Sequence, residues 1–214
     1  RRQTDLGKTL LFSETVAEPA TKGELLKLFE HLEEALDEAG FFTAPDKRPT
    51  VSFSIKDKSG KPVDITTLNN LRVYMGGPTT DIASYIREDA LKAVGPGDGR
   101  YFWTFAASIP ATAKGTYQFG IEGYRTTIVL PGTLKQRSIR DYGIDKVLYA
   151  ALDGGKPEPR RTSVASANCN KCHYQLAFHG GGRNTVEHCT FCHNPNLTAG
   201  TAKESFNFAN MIHR

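Results

Sequence analysis

Cys169-Asn170-Lys171-Cys172-His173 and Cys189-Thr190-Phe191-Cys192-His193 each set two thiols three positions apart with an imidazole directly after the second. A C-x-x-C-H segment of this kind can attach a heme covalently. The two-residue gap matches the spacing of the two vinyl groups, and the histidine falls beneath the iron as its proximal ligand. The pair of segments predicts two heme c groups, with Cys169, Cys172, Cys189 and Cys192 as thioethers and His173 and His193 as proximal ligands. All four cysteines of the chain are used in this way, which leaves none for a disulfide.

The same thiols also fit a zinc site of two C-x-x-C pairs, because sixteen residues separate Cys172 from Cys189. A four-cysteine zinc site has no use for His173 and His193, which follow their pairs in the same way. Heme is therefore the preferred reading, and a zinc-stapled binding domain is the competitor.

Two hemes with both axial positions filled need two further ligands, and His179 and His213 are the candidates, both in or beside the heme stretch and next to glycine or apolar residues. His188, beside Cys189, is expected to be an exposed bystander, and His31 a solvated residue far from the hemes. Met211 could supply a thioether that raises the reduction potential relative to a second histidine, but packing is its expected role. The six residues from His173 to His179 reach at most roughly 21 Å, with little slack to round the edge of one macrocycle. His179 is accordingly expected on the neighbouring heme held by Cys189 and Cys192, or on a further heme. His213 has room to return to the heme held by Cys169 and Cys172.

From Ser163 to Arg214 only nine of fifty-two residues are Leu, Ile, Val or Phe. That falls below the roughly 20% at which a chain has too little apolar surface to fold by itself. The hemes must supply the missing surface. A compact module from Cys169 onward has a radius of gyration of only about 9 Å, so two macrocycles inside it would nearly touch.

The run Cys169 to His173, then Leu176, Phe178-His179-Gly180-Gly181 and Arg183, Cys189 to Pro195, and Met211-Ile212-His213 resembles the first heme-binding module of the OmcA/MtrC-type multiheme cytochromes. Gly77-Pro78-Thr79-Thr80-Asp81 is similar to a loop of that family's N-terminal β domain. The resemblance implies a bacterial surface protein that passes electrons to acceptors outside the cell, with other heme domains or redox proteins as partners. Members usually carry about ten C-x-x-C-H sites and this chain has two, so the diheme segment at 161–214 is expected to be truncated.

The elements that must position these residues come earlier in the chain. Residues 1–45 read as an extension holding an amphipathic helix over 22–39, in which Leu25, Leu28, Phe29, Leu32, Ala35, Leu36 and Ala39 share a stripe. Thr21 and Glu24 fit a capping box, and Gly40 fits the C′ position. Residues 46–160 change to short alternating runs, Val51–Ile55, Leu71–Met75, Tyr101–Phe105, Thr116–Tyr124 and Val147–Ala151, separated by turn residues. They predict a mainly β, antiparallel Greek-key, split-barrel or Ig-like sandwich domain, followed by an irregular, mostly helical and coil diheme segment. Asp81–Lys92 is expected to be a short helix or loop excursion. The aromatic residues Tyr74, Trp103, Phe105, Tyr117, Phe119 and Tyr124 are expected in the core or in cross-strand pairs.

Gly154 to Arg161 reads as the linker. The formal charge of +4 falls to about +2 with two ferric hemes and their propionates and to about zero when reduced. The excess of cations therefore points to propionate partners, Arg160, Arg161 and Arg183, and no nucleic-acid partner is expected. No catalytic constellation stands out, and no run approaches the roughly 18 apolar residues of a membrane span. Covalent heme implies export, to the cell surface and outer membrane or to the periplasm, with any membrane association made through parts outside this chain. The expected function is electron transfer, with a multiheme reductase or a cytochrome-filament subunit as alternatives.

Overall fold

The computed structural model describes residues 9–13, 47–57, 59–200 and 204–212. The helix expected over 22–39, with His31 inside it, and the candidate ligand His213 lie outside the described residues.

In chain order the strands of the first part are β1 (Thr9–Ser13), β2 (Thr50–Lys56), β3 (Asn70–Gly77), β4 (Ser84–Asp89), β5 (Arg100–Thr104), β6 (Thr116–Val129), β7 (Arg137–Tyr142) and β8 (Lys146–Ala151). They form two antiparallel sheets, one in the order β1-β2-β5 and one in the order β4-β3-β6-β7 with β8 also on β6. Strand β6 is the spine of the larger sheet. One edge pairs with β3, as Val73 with Ile121 and Met75 with Phe119, and the other pairs first with β8 and then with β7.

The period of two decides which side chains meet between the sheets. Val51, Phe53 and Ile55 of β2 join Leu71, Val73 and Met75 of β3, Tyr117, Phe119 and Ile121 of β6 and Ala150 of β8 in one buried cluster. This is the antiparallel β domain that the alternating runs predicted. Of the aromatic residues, Phe105, Phe119 and Tyr117 lie in that core. Tyr74 is buried on the opposite face of its sheet.

Two segments depart from expectation. Residues 84–89 are an edge strand, not a helix or loop excursion: Ile86 packs on the core while Arg87, Glu88 and Asp89 charge the rim. Charges on an edge strand dilute the apolar alternation that would reveal it, and they block pairing with another chain. Strand β7, Arg-Ser-Ile-Arg-Asp-Tyr, carries no apolar alternation either. It is a strand because it pairs with the second half of β6, Tyr124 opposite Tyr142 and Val129 opposite Arg137.

The other face of the larger sheet explains how the C-terminal segment sits. Tyr74, Gly76, Gln118, Gly120 and Glu122 point away from the core and yet are buried. The chain after Asn184 lies on them. The C-terminal segment as a whole contains α1 (Ser166–His173), a 3-10 turn over His179–Gly181, α2 (Val186–Cys189), a small hairpin of β9 (Thr198–Ala199) and β10 (Glu204–Ser205), and α3 (Phe208–Met211). Helix α1 buries no residue, whereas Val186, His188 and Cys189 of α2 are buried. Among the described residues no helix is long and apolar enough to cross a membrane.

Candidate heme sites

The second motif is built onto the sheet. Thr185 caps α2 by accepting from His188 N at 3.3 Å, and the turn continues as Cys192 N and His193 N both donate to Cys189 O, at 3.2 and 2.9 Å. This winding brings Cys189, Cys192 and His193 to one side, at the i, i+3, i+4 spacing. Asn194 closes the turn by donating to the carbonyls of Thr190 and Phe191. Phe191, inside the motif, turns the other way and is fully buried, 5.4 Å from the Tyr74 ring and against Gly120. Burying such a side chain contributes about 1.5–3 kcal/mol.

The His193 ring is held in one orientation. Its Nδ1 lies 3.0 Å from Phe206 O, and Phe208 stacks on its ring at 5.0 Å with 9° between planes. With Nδ1 donating to the carbonyl, Nε2 keeps its lone pair, the arrangement by which ligating histidines are oriented. Met211 Sδ lies 3.2 Å from the same Nδ1, on the side of the ring away from Nε2.

His179 comes to the same place from another loop. Phe178 and Arg183 pair across the loop, N to O at 3.1 and 3.3 Å, and between them the backbone turns at positive φ through His179 (52°), Gly180 (84°) and Gly181 (116°). Gly181 and Gly182 lie so close on the Tyr142 ring that a Cβ at either would approach it to 2.9 and 2.8 Å. A non-glycine residue in the left-handed region is uncommon and tends to mark functional sites. The His179 and His193 rings are 6.1 Å apart between centroids, with 36° between planes. Two imidazoles on opposite sides of one metal, each nitrogen about 2 Å from it, would have centroids roughly 6 Å apart. Burial pushes both imidazoles below their ordinary pKa, favouring the neutral form that a metal requires. The spacing of the two rings therefore fits an iron between His179 and His193.

The first motif is on α1, where Cys169, Cys172 and His173 share a face at i, i+3 and i+4. Leu176 N donates to Asn170 Oδ1 at 2.7 Å, and the backbone leaves the helix at Tyr174 with φ 58°. The His173 ring lies 6.0 Å from that of Phe178. Cys169 is half-buried and Cys172 exposed. The ligand set fits one covalent heme on this side, with His173 as its axial base. All four cysteines are free thiols, and among the described residues no three His, Cys, Asp or Glu side chains converge on a common point that could hold a metal ion.

Beneath the second motif is a buried polar cluster that sequence reasoning missed. Tyr74 donates to Glu122 Oε1 at 2.6 Å, Arg183 Nε donates to Glu122 Oε2 at 3.0 Å, and an Arg183 Nη donates to the Tyr74 hydroxyl at 3.1 Å. His188 is 2% exposed, not the exposed bystander expected, with Nε2 at 3.5 Å from Glu122 and Nδ1 at 3.8 Å from Asp145. It is buried because α2 turns it into the sheet, edge-on to Tyr74 at 4.7 Å. Burial alone would push the Glu122 carboxyl up, but the His188 imidazole facing it at 3.5 Å and hydrogen bonds from Arg183 and Tyr74 overcome it and hold the group down at about 2. Burial pushes Asp145 up, and it pushes the Cys189 thiol up to about 12.

The glycines were the available signal for this face. Gly76 and Gly120 in mid-strand mark a close approach by another element, and both meet Phe191.

Arg183, a candidate propionate partner, turns into this cluster and keeps only 14% of its side chain exposed. The Arg160 side chain is 7% exposed, 3.9 Å from Asp81, with Nε lacking a hydrogen-bond partner. Arg160 and Arg161 line a small cavity with Tyr149, Glu187, Thr190 and Phe208, behind α2.

A family model described as outer membrane cytochrome MtrC/MtrF-like, domains II/IV, matches residues 161–214. The multiheme cytochrome MtrC of Shewanella baltica (strain OS185) is 30% identical over 154 residues, 65% of this chain and 21% of that protein. The crystal structure of MtrC from Shewanella baltica OS185 shares the fold at a TM-score of 0.56 with 16% identity, covering 89% of this chain and 35% of that one. That of the outer membrane decaheme cytochrome OmcA does so at 0.55 with 20% identity, covering 80% and 31%. The chain spans about a fifth of the length of the curated relative it matches.

Proposed function

We infer that this chain belongs to the OmcA/MtrC-type family of outer-membrane multiheme cytochromes, and on that premise we propose that residues 161–214 carry two heme c groups that pass electrons as part of a larger multiheme protein. Cys189 and Cys192 would hold one heme, with His193 and His179 as the residues that would bind its iron. Cys169 and Cys172 would hold the other, with His173 and His213 for its iron. The observation that carries the reading is the His179–His193 pair, 6.1 Å apart at the end of two unrelated loops.

When bound, the hemes supply one-electron redox chemistry. The chain's own residues do the rest. Phe206 and Phe208 fix the His193 ring, the glycines after His179 let its loop lie flat on Tyr142, and Phe191 anchors the attachment turn to the sheet. Two histidines for each iron would leave no open coordination site, which suits an electron carrier more than a substrate-reducing centre. The β domain acts as a rigid support, since a site borne on paired strands holds its geometry better than one borne on loops. Residues 1–45, 46–160 and 161–214 divide the chain into extension, support and diheme segment. Arg160 and Arg161 behind α2 are the propionate partners of this reading.

The partners are other hemes of the same protein or other redox proteins, and the acceptors lie outside the outer membrane. The test is the mass and visible spectrum of chain matured with heme. The expected result is two covalently held, low-spin hemes per chain. Colour that extracts into acidified organic solvent, or a mass lacking two hemes, overturns it.

A further inference from the structure

Glu122 carries the one carboxylate among the described sheet residues that faces both Arg183 and His188, with Tyr74 packed beside it, and we propose that it is the positioning residue for both halves of the second site: it holds the His179 loop through Arg183 and the Cys189 turn through His188. The inference rests on the reading of His179, Cys189, Cys192 and His193 as one heme site.

The argument begins with the two jaws. Each is too short to fix its own place. The loop between Phe178 and Arg183 contains Gly180, Gly181 and Gly182, which give the backbone no stiffness. Its position is set by the closing pair, Phe178 with Arg183, and Arg183 is itself fixed by Glu122 at 3.0 Å. Helix α2 has four residues, Val186 to Cys189, and its rotation about its own axis follows from what His188 and Phe191 meet. His188 lies between Glu122 and Asp145, Nε2 3.5 Å from the first and Nδ1 3.8 Å from the second, approaches longer than a hydrogen bond on both sides.

Glu122 has the rigidity that the jaws lack. It lies in β6 opposite Arg72 of β3, one residue beyond the stretch paired with β8, and is 7% exposed. Its Oε1 accepts from Tyr74 at 2.6 Å and has Arg72 at 3.9 Å, so the Oε2 that meets Arg183 and His188 points in one direction. A charge-assisted pair of this kind fixes geometry as well as proximity. Neutralising the carboxylate should therefore let the His179 loop and the Cys189 turn move independently. A group that only stabilised the fold would leave axial ligation unchanged in the molecules that remain folded.

The experiment uses the holoprotein with E122Q, E122D, R183Q and H179A. It reads the fraction of ferrous heme that binds carbon monoxide, together with the high-spin signal in the ferric electron paramagnetic resonance spectrum. Emission from the single tryptophan, Trp103, which donates to Glu88 at 2.9 Å, reports on the β domain. The wild type should bind almost no carbon monoxide. E122Q and R183Q should each raise the reactive fraction at one of the two hemes about tenfold with Trp103 emission unchanged, and E122D should restore most of the closed form. Wild-type reactivity in both E122Q and R183Q, while H179A opens one heme, overturns the inference alone. Loss of native Trp103 emission in both variants assigns the pair to the fold and also overturns it. H179A that leaves both hemes closed removes the reading of the site on which the inference stands.

Discussion

Phe191 occupies the space that Gly120 leaves open: a Cβ at position 120 would come within 2.6 Å of Phe191 Cε2. A residue in the middle of a C-x-x-C-H motif thus fits into the middle of a strand 71 positions earlier in the chain. Phe191→Ala should cost about 3–5 kcal/mol, the usual range for removing a buried phenylalanine. Gly120→Val should displace the same ring from the other side. Both are expected to release the C-terminal segment while the β domain stays folded, which limited proteolysis would read as early cleavage between residues 160 and 195. Equal resistance in wild type and both variants would contradict this anchoring.

The two motifs should differ before any heme is attached. Helix α1 buries nothing, whereas α2 buries Val186, His188 and Cys189 and is followed by Phe191. In heme-free chain, amides of 186–194 should be protected from hydrogen exchange and those of 166–175 should not, because protection follows burial and packing. Uniform exchange across both would show that the heme, not Phe191, docks the second motif.

Acid should loosen the segment through Glu122. Its folded pKa is held at about 2 against an ordinary 4.5, so its contribution is present above pH 4.5 and lost as pH falls toward 2. The linkage amounts to at most about 3 kcal/mol. Denaturant unfolding should show wild type well above E122Q at pH 6, with the gap shrinking between pH 4.5 and 2. A gap that does not change over that interval counts against the role of the charge.

Met211 lies at Nδ1 of His193, at 3.2 Å, away from the nitrogen left for iron. Met211→Leu should leave the visible and near-infrared spectra and both reduction potentials close to wild type. Loss of a thioether-to-iron band would make Met211 a ligand.

Sequence alone carried the attachment chemistry proposed for Cys169, Cys172, Cys189 and Cys192 and determined the strands whose apolar residues alternate, because both are local: a two-residue gap and a period of two are fixed by backbone geometry within a few residues. The edge strand 84–89 and strand β7 were not legible, since their pairing partners decide them and their own side chains are mostly charged or polar. The place of His188 was not legible either. Beside Cys189 it reads as exposed, and only the tertiary fold, by laying α2 against Gly120 and Tyr74, buries it between Glu122 and Asp145. The same holds for the second face of the large sheet. Tyr74, Gln118 and Glu122 form an ordinary outward alternation in sequence, and it takes a segment more than sixty residues downstream to cover them. Local periodicity says which side chains share a face, but what covers that face is set by long-range packing, which no window of neighbouring residues contains.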